Sequence, residues 1–289
     1  MFFSSIVPKS RWVAIHLNTN LTSTFTQRAM GSNLSRAQSA QEKLSSGSRI
    51  NRGADDAAGL AVSEHGRAVM KSLSRAARNL EDAYSLVDTA DGAMTEIGNG
   101  LLRMRELAIQ AASDTVGPDE RRMIQAEFKQ RQDEISRISL ETEFNGVKLL
   151  DGSAEHLDIQ ADAGHDPSTS RITLRLDEIE LQPERLGVAW ISVYDKEHAR
   201  ESLEHVDAAQ GRLASARATV GSLRQRLEIS RGNVLDYQLN LGNANSRVKD
   251  TDYAEEASEL AKHGLLTQSS VSVLAQANSS PGGALKLLS

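Results

Sequence analysis

Aliphatic side chains recur at every seventh position through the second half of the chain: Val206, Leu213, Val220, Leu227, Val234 and Leu241. Three residues after each stands a second seam, mostly of smaller residues: Ala209, Ala216, Leu223, Ser230, Tyr237 and Ala244. Steps of three and four define a coiled-coil seam, so the spacing predicts one helix over 195–247. At 1.5 Å per residue it spans on the order of 75 Å, and it needs an equally long helix to cover its seam. The stretch 57–112 supplies one, with Leu80, Tyr84, Val87, Asp91, Met94, Ile97 or Gly98, Leu101, Met104 and Ala108 in the same alternation. Asp91 on that seam reads either as a buried recognition group or as a solvated point.

Three further helices follow from the pattern. Residues 20–44 carry Leu21, Phe25, Met30, Leu34, Ala37 and Leu44 at helical steps, with Thr19 or Asn20 as cap. Gly117-Pro118 breaks the chain and starts a helix to Leu140 on Met123, Ile124, Phe128, Ile135 and Ile138. A last helix, 252–278, opens on acids and carries Lys262 and His263 further along, an order that suits the helix dipole. Its stripe is Leu260, Leu265, Val271, Leu274 and Ala275, and Pro281-Gly282-Gly283 is expected to end it. Between 144 and 193 the texture turns to β. Asn145-Gly146 and Asp151-Gly152 are hairpin turn pairs, 157–160 and 171–176 alternate apolar with polar, and 188–194 reads as a further strand. Glycines 47, 53 and 59 make 45–59 a bent connector, and Asp55-Asp56 reads as a helix cap ahead of a cation site.

Composition narrows the class. Aromatics are 4% and cysteine is absent, which suits helical bundles built on small and aliphatic residues and excludes disulfides and thiolate chemistry. The formal charge is −6 with acids and bases interspersed, so no basic tract grips nucleic acid. No apolar run reaches membrane-spanning length. The start MFFSSIVPKSRW places its bases after a brief apolar patch, unlike a cleaved secretory signal. Neither HExxH nor a P-loop occurs, and His156 and His165 alone give no support to a zinc hydrolase in the β-region. No catalytic constellation, metal site or cofactor is expected.

Several segments resemble one family in its own order. LSSGSRINRGADDAAGLAVSE (44–64) resembles the N-terminal signature of bacterial flagellins. NLEDAYSLVDTADGAMTEI (79–97) and LLRMRELAIQAA (101–112) resemble the core helix after it, and FNGVKLLDG (144–152) the turn into the family's β-region. SRVKDTDYAEEASEL (246–260) and LLTQSSVSVLAQAN (265–278) resemble the C-terminal signature.

The resemblance implies a mainly α fold, an elongated coiled-coil helical bundle with a small β-hairpin region and paired N- and C-terminal helices. It divides the chain into 13–46 and 252–289 as inner-tube helices, 47–143 and 195–251 as the two parts of a helical rod, and 144–194 as the β-hairpin region. Residues 1–12 are either an extension or a misassigned start, with Val13 the alternative first residue. No outer domains interrupt the middle, which implies a minimal form and a thin, smooth filament. The implied function is a secreted structural subunit of the extracellular flagellar filament, self-assembling for motility; a hook–filament junction protein is the alternative. Self-assembly would rest on Leu21, Phe25, Leu34, Leu44, Arg49, Asn51, Leu260, Leu265, Leu266, Val271, Leu274 and Leu287. Arg103, Leu107 and Glu127 match positions that make lateral rod contacts, or an innate immune receptor patch, in the family. Implied partners are the chain itself and other flagellins, an export chaperone on the C-terminal helix, and the hook–filament junction and cap proteins.

Overall fold

The computed structural model describes residues 19–288, leaving aside the side chains of residue 281 and of 283–288. The expected extension 1–12 and the side chain of Leu287 therefore lie outside the described residues. The chain forms two compact units, one of residues 65–243 and one of the residues up to Glu64 with those from Ala244 on. Helices α2 (Ala57–Ala111) and α6 (Lys196–Lys249) run through both.

In the 65–243 unit, α2 and α6 lie antiparallel, and the predicted heptads form the core. Val206, Ala209, Leu213, Ala216, Val220, Leu223, Leu227 and Val234 are buried against Leu73, Leu80, Val87, Met94, Ile97, Leu101 and Met104. A methyl group at Gly98 would come within 3.2 Å of Leu213 Cδ2, so this glycine is the hole for that knob. Each fully buried Leu, Ile, Val or Met contributes about 1.5–3 kcal/mol. The second seam fades beyond Leu223: Ser230 is half-buried and Tyr237 exposed. Along the edge, three arginines one heptad apart grip α2. Arg231 pairs with Glu81 at 3.1 Å, Arg224 donates to Tyr84 Oη at 2.8 Å beside Asp88, and Arg217 meets Asp91 at 3.2 Å. Asp91 is thus a half-buried rung of an ion-pair ladder. These pairs fix register more than stability, because exposed ion pairs contribute about 1 kcal/mol or less.

Helix α3 (Pro118–Glu141) starts where Glu120 accepts a hydrogen bond from Gly117 N, and it buries Ile124, Phe128, Gln132 and Ile135. Met123, expected on its inner stripe, faces solvent. Strands β1 (Glu143–Phe144) and β2 (Val147–Lys148) close a hairpin on Asn145-Gly146, both with positive φ. Strand β3 (His156–Gln160) pairs antiparallel with β4 (Arg171–Arg175), Leu157 opposite Leu174 and Ile159 opposite Ile172. The single turn α4 (Pro167–Ser170) leads into β4, and the single turn α5 (Pro183–Leu186) follows it. Asp151-Gly152 makes a turn without flanking paired strands.

The expected strand at 188–194 does not form, because side chains have taken its backbone partners. Gln132 Nε2 donates to Val188 O at 2.6 Å and to Ile191 O at 3.0 Å. Val193 N donates to Gln125 Oε1, and Ser202 Oγ to Ser192 O. Val188 and Val193 are buried through this anchoring rather than through a ladder.

In the other unit, α1 (Leu21–Ser46) packs antiparallel on α7 (Tyr253–Leu288). Gly47, at φ 68°, ends α1, and a clasp follows: Ser48 bridges Asp250, Arg49 N donates to Lys249 O at 2.7 Å, and Thr251 N donates to Gly47 O. Asp55 Oδ2 accepts from the amides of Asn51 and Arg52, while Asp56 Oδ1 accepts from Gly59 N and caps α2. Ile50 is buried against Gly59, where a Cβ would come within 2.7 Å of Ile50 Cδ1. The predicted stop at Pro281 also fails, since α7 continues to Leu288. A proline at 281 denies Ala277 O its helical donor. Asn20 Nδ2 supplies another at 2.7 Å, while Asn20 Oδ1 accepts from Ser23 N and caps α1.

Candidate assembly surfaces

Two heptads meet where α1 and α7 touch, and each mixes polar with apolar residues. Ser23, Thr26, Met30, Asn33, Ala37, Ala40 and Leu44 face inward from α1 at steps of three and four. Glu256, Leu260, His263, Thr267, Ser270, Leu274 and Ala277 answer from α7. Asn33 Oδ1 lies 3.2 Å from His263 Nδ1, Glu259 Oε2 lies 3.1 Å from His263 Nε2, and Lys43 pairs with Glu256 at 2.6 Å. The Glu259 carboxyl is held below its ordinary range, first by the hydrogen bond from Lys262 and to a lesser degree by His263.

Other large apolar groups point the other way. Leu21, Phe25, Leu34, Leu265, Leu266, Val271 and Val273 are all exposed. Between the helices an open groove of about 470 Å³ is lined by Leu34, Ala37, Gly264, Thr267, Gln268 and Val271. Of the sequence-predicted assembly residues, Leu21, Phe25, Leu34, Leu265, Leu266 and Val271 thus stand outward, while Leu44, Leu260 and Leu274 sit half-buried in the seam. Arg49 and Asn51 belong to the clasp, Arg49 Nη2 donating to Val248 O and Asn51 Nδ2 to Ser48 O. Sequence reasoning found Met30, Ala37, Leu44, Leu260 and Leu274 of this seam and missed the polar positions between them, although their three-four spacing is regular.

On the larger unit, Arg103 Nε donates to Glu127 Oε1 at 2.8 Å and its Nη1 to Glu106 Oε2, tying α2 to α3. The guanidinium beside Glu127 holds that carboxyl below the usual range. Leu107 is buried in the core and offers no surface to a neighbour. Exposed Leu102, Ile109 and Met123 are the apolar groups that α2 and α3 present instead. Among the described residues no cluster of His, Cys, Asp and Glu could hold a metal ion, and no helix is long and apolar enough to cross a membrane.

A pair of helices from opposite ends of the sequence thus shares a partly polar seam and carries further large apolar side chains on its outer faces. With the long antiparallel pair α2 and α6, it defines a mainly α protein built on paired helices, with only two small antiparallel sheets among the described residues. Residues 17–155 match the family model for the bacterial flagellin N-terminal helical region, and residues 203–288 that for the bacterial flagellin C-terminal helical region. A flagellin of Halalkalibacterium halodurans is 39% identical over 272 residues, covering 94% of this chain and 99% of the relative. A Bacillus subtilis flagellin is 36% identical over 310 residues, covering 95% and 100%. The crystal structure of Bacillus cereus flagellin aligns at 34% identity over 54% of this chain and 88% of its own, with a TM-score of 0.49. The chain belongs to the bacterial flagellins. It is a subunit of the flagellar filament, an extracellular appendage, in a short form without an outer domain, and its role is structural rather than enzymatic.

Proposed function

We propose that the outward apolar faces of α1 and α7 are the surfaces through which copies of this chain polymerise, and that these helices gain stable burial only against one another's neighbours. The observation that carries the reading is the set of large apolar side chains left on the outer faces of the pair. The seam itself sets Met30, Leu44, Leu260, Leu274 and alanines among Ser, Thr, Asn, Glu and His, so it buries limited apolar area, and helices of this kind are marginal in water without further packing. A neighbouring helix laid along Leu34, Val271 and the groove between them would supply the missing contacts. In this reading 13–46 and 252–289 line the inner tube, and 57–247 forms the surrounding rod. Arg103 and Glu127, with the apolar side chains beside them, make lateral contacts in the filament. The same patch on a free subunit is where an innate immune receptor would bind.

Before assembly the exposed stripe of α7 needs a cover, and an export chaperone on the C-terminal helix fits it. Passage through the flagellar type III apparatus, addition beneath a cap and a first layer on the hook–filament junction proteins complete the pathway. The test is removal of 252–289. Purified and salted with ammonium sulfate, the truncated chain is expected to stay a soluble, folded monomer while the full chain forms filaments visible by electron microscopy. Normal filaments from the truncation would overturn the reading.

A further inference from the structure

The segment leading into α6 holds three side chains in line. Tyr194 Oη lies 2.9 Å from His198 Nε2, and His198 Nδ1 lies 2.7 Å from Asp195 Oδ2. The backbone fixes this arrangement. Asp195 Oδ1 accepts from His198 N at 2.8 Å, capping the helix, and the preceding residues are anchored by Gln125 and Ser202. The Tyr194 ring packs on the imidazole with centroids 4.4 Å apart. The Asp195 carboxyl is held below its ordinary range, first by the His198 backbone N–H and then by its ring.

A carboxylate can only accept, so Nδ1 of the neutral imidazole carries the proton and donates it to Asp195. Nε2 is then left with a lone pair facing a phenol. A hydroxyl, a base hydrogen-bonded to it and an acid orienting the base make up the arrangement that activates side-chain nucleophiles. We propose that Tyr194 is a nucleophilic tyrosine, at which the folded subunit accepts activated acyl groups as a phenyl ester with His198 as the base. Tyr194 Oη attacks the acyl carbon, and its proton passes to His198 Nε2. The carbon–oxygen bond forms as the bond to the leaving group breaks, and the imidazolium, steadied by Asp195, returns the proton to that group.

The chain supplies its own controls. Tyr194, Tyr237 and Tyr253 are 53%, 50% and 59% exposed, so reagent access is matched, and only Tyr194 is bonded to an imidazole. The full chain is treated with limiting N-acetylimidazole and the ester at each tyrosine is followed by peptide mass spectrometry. Tyr194 is expected to react about tenfold faster than the other two, a modest share of what a positioned base supplies. In His198→Ala, and in His198→Gln, which keeps a hydrogen-bonding group that cannot take the proton, Tyr194 should fall to their rate with helicity unchanged. Equal rates at Tyr194, Tyr237 and Tyr253 in the native chain, or an undiminished Tyr194 rate in His198→Gln, would overturn the assignment.

Discussion

Two phenylalanines in this chain have opposite fates, and they separate assembly from folding. Phe25 is 74% exposed on α1, whereas Phe128 on α3 is fully buried. Burying an apolar side chain of this size contributes about 1.5–3 kcal/mol. About three-quarters of that is still unclaimed at Phe25, so its removal should weaken addition to the filament by about 1–2 kcal/mol per subunit. At 1.4 kcal/mol per factor of ten, the concentration left in solution at equilibrium should rise about five- to thirtyfold in Phe25→Ala. Seeding with sheared filaments, pelleting and assaying the supernatant measures it. Thermal unfolding of the free subunit should be unaltered. Phe128→Ala should do the reverse, costing about 3–5 kcal/mol of folding stability. On a unit of this size that lowers the melting temperature by on the order of 10 °C. The reasoning fails if Phe25→Ala leaves the supernatant concentration within twofold of native, or lowers the subunit's melting temperature as Phe128→Ala does.

Gln132→Leu should leave the carbonyls of Val188 and Ile191 without their donor, costing about 2–3 kcal/mol; circular dichroism should show melting lowered by on the order of 5–10 °C. Asn20→Ala should remove a cap worth about 1 kcal/mol and orphan the Ala277 carbonyl, raising the supernatant concentration of the polymerisation assay about tenfold or more. Pro281→Ala, which restores an N–H to that carbonyl, should recover part of the loss, and a double mutant no better than Asn20→Ala would count against the shared role of Asn20. The Asp55 carboxyl is held below its ordinary range, first by the Arg52 amide and then by that of Asn51. A depressed carboxyl stabilises above its ordinary range and ceases to do so as pH falls through its lowered value. Amide protection at Asn51 and Arg52 should therefore persist to below about pH 4 and then collapse. Asp55→Asn should weaken protection at neutral pH and abolish that acid step.

The long heptads of α6 were legible because their positions are filled by Val and Leu, which hydrophobic periodicity detects. The terminal seam has the same period, but half of it is written in polar residues such as Ser23, Thr26, Asn33, His263 and Thr267. The apolar stripes of these helices therefore mix Leu21, Phe25, Leu265 and Val271 of the outer face with Met30, Leu44, Leu260 and Leu274 of the seam. Apolar periodicity alone does not separate the side buried in the subunit from the side left exposed. Residues 188–194 alternate like a strand because Val188 and Val193 are buried, but the choice of Gln132 and Gln125 over a neighbouring strand is a long-range event that no local pattern encodes. Local propensity makes Pro281 a stop, and a side chain 261 positions earlier, Asn20, makes the helix's continuation tolerable by donating to Ala277 O. The cap expected of Asp55-Asp56 is legible in the local sequence because Asp56 accepts from Gly59 N three residues on, whereas Asp55 turns back to the amides of Asn51 and Arg52.

The clasp that joins Ser48 and Arg49 to Lys249, Asp250 and Thr251 makes departure and return a single gate in the polypeptide. Everything threaded between is, thermodynamically, a loop whose mouth is already shut. Doubling such a loop costs only about 0.6 kcal/mol. The termini act as a chassis and the centre as a cassette, so foreign sequence spliced into the tips of the β-hairpins can lengthen the cassette without the chassis registering the change.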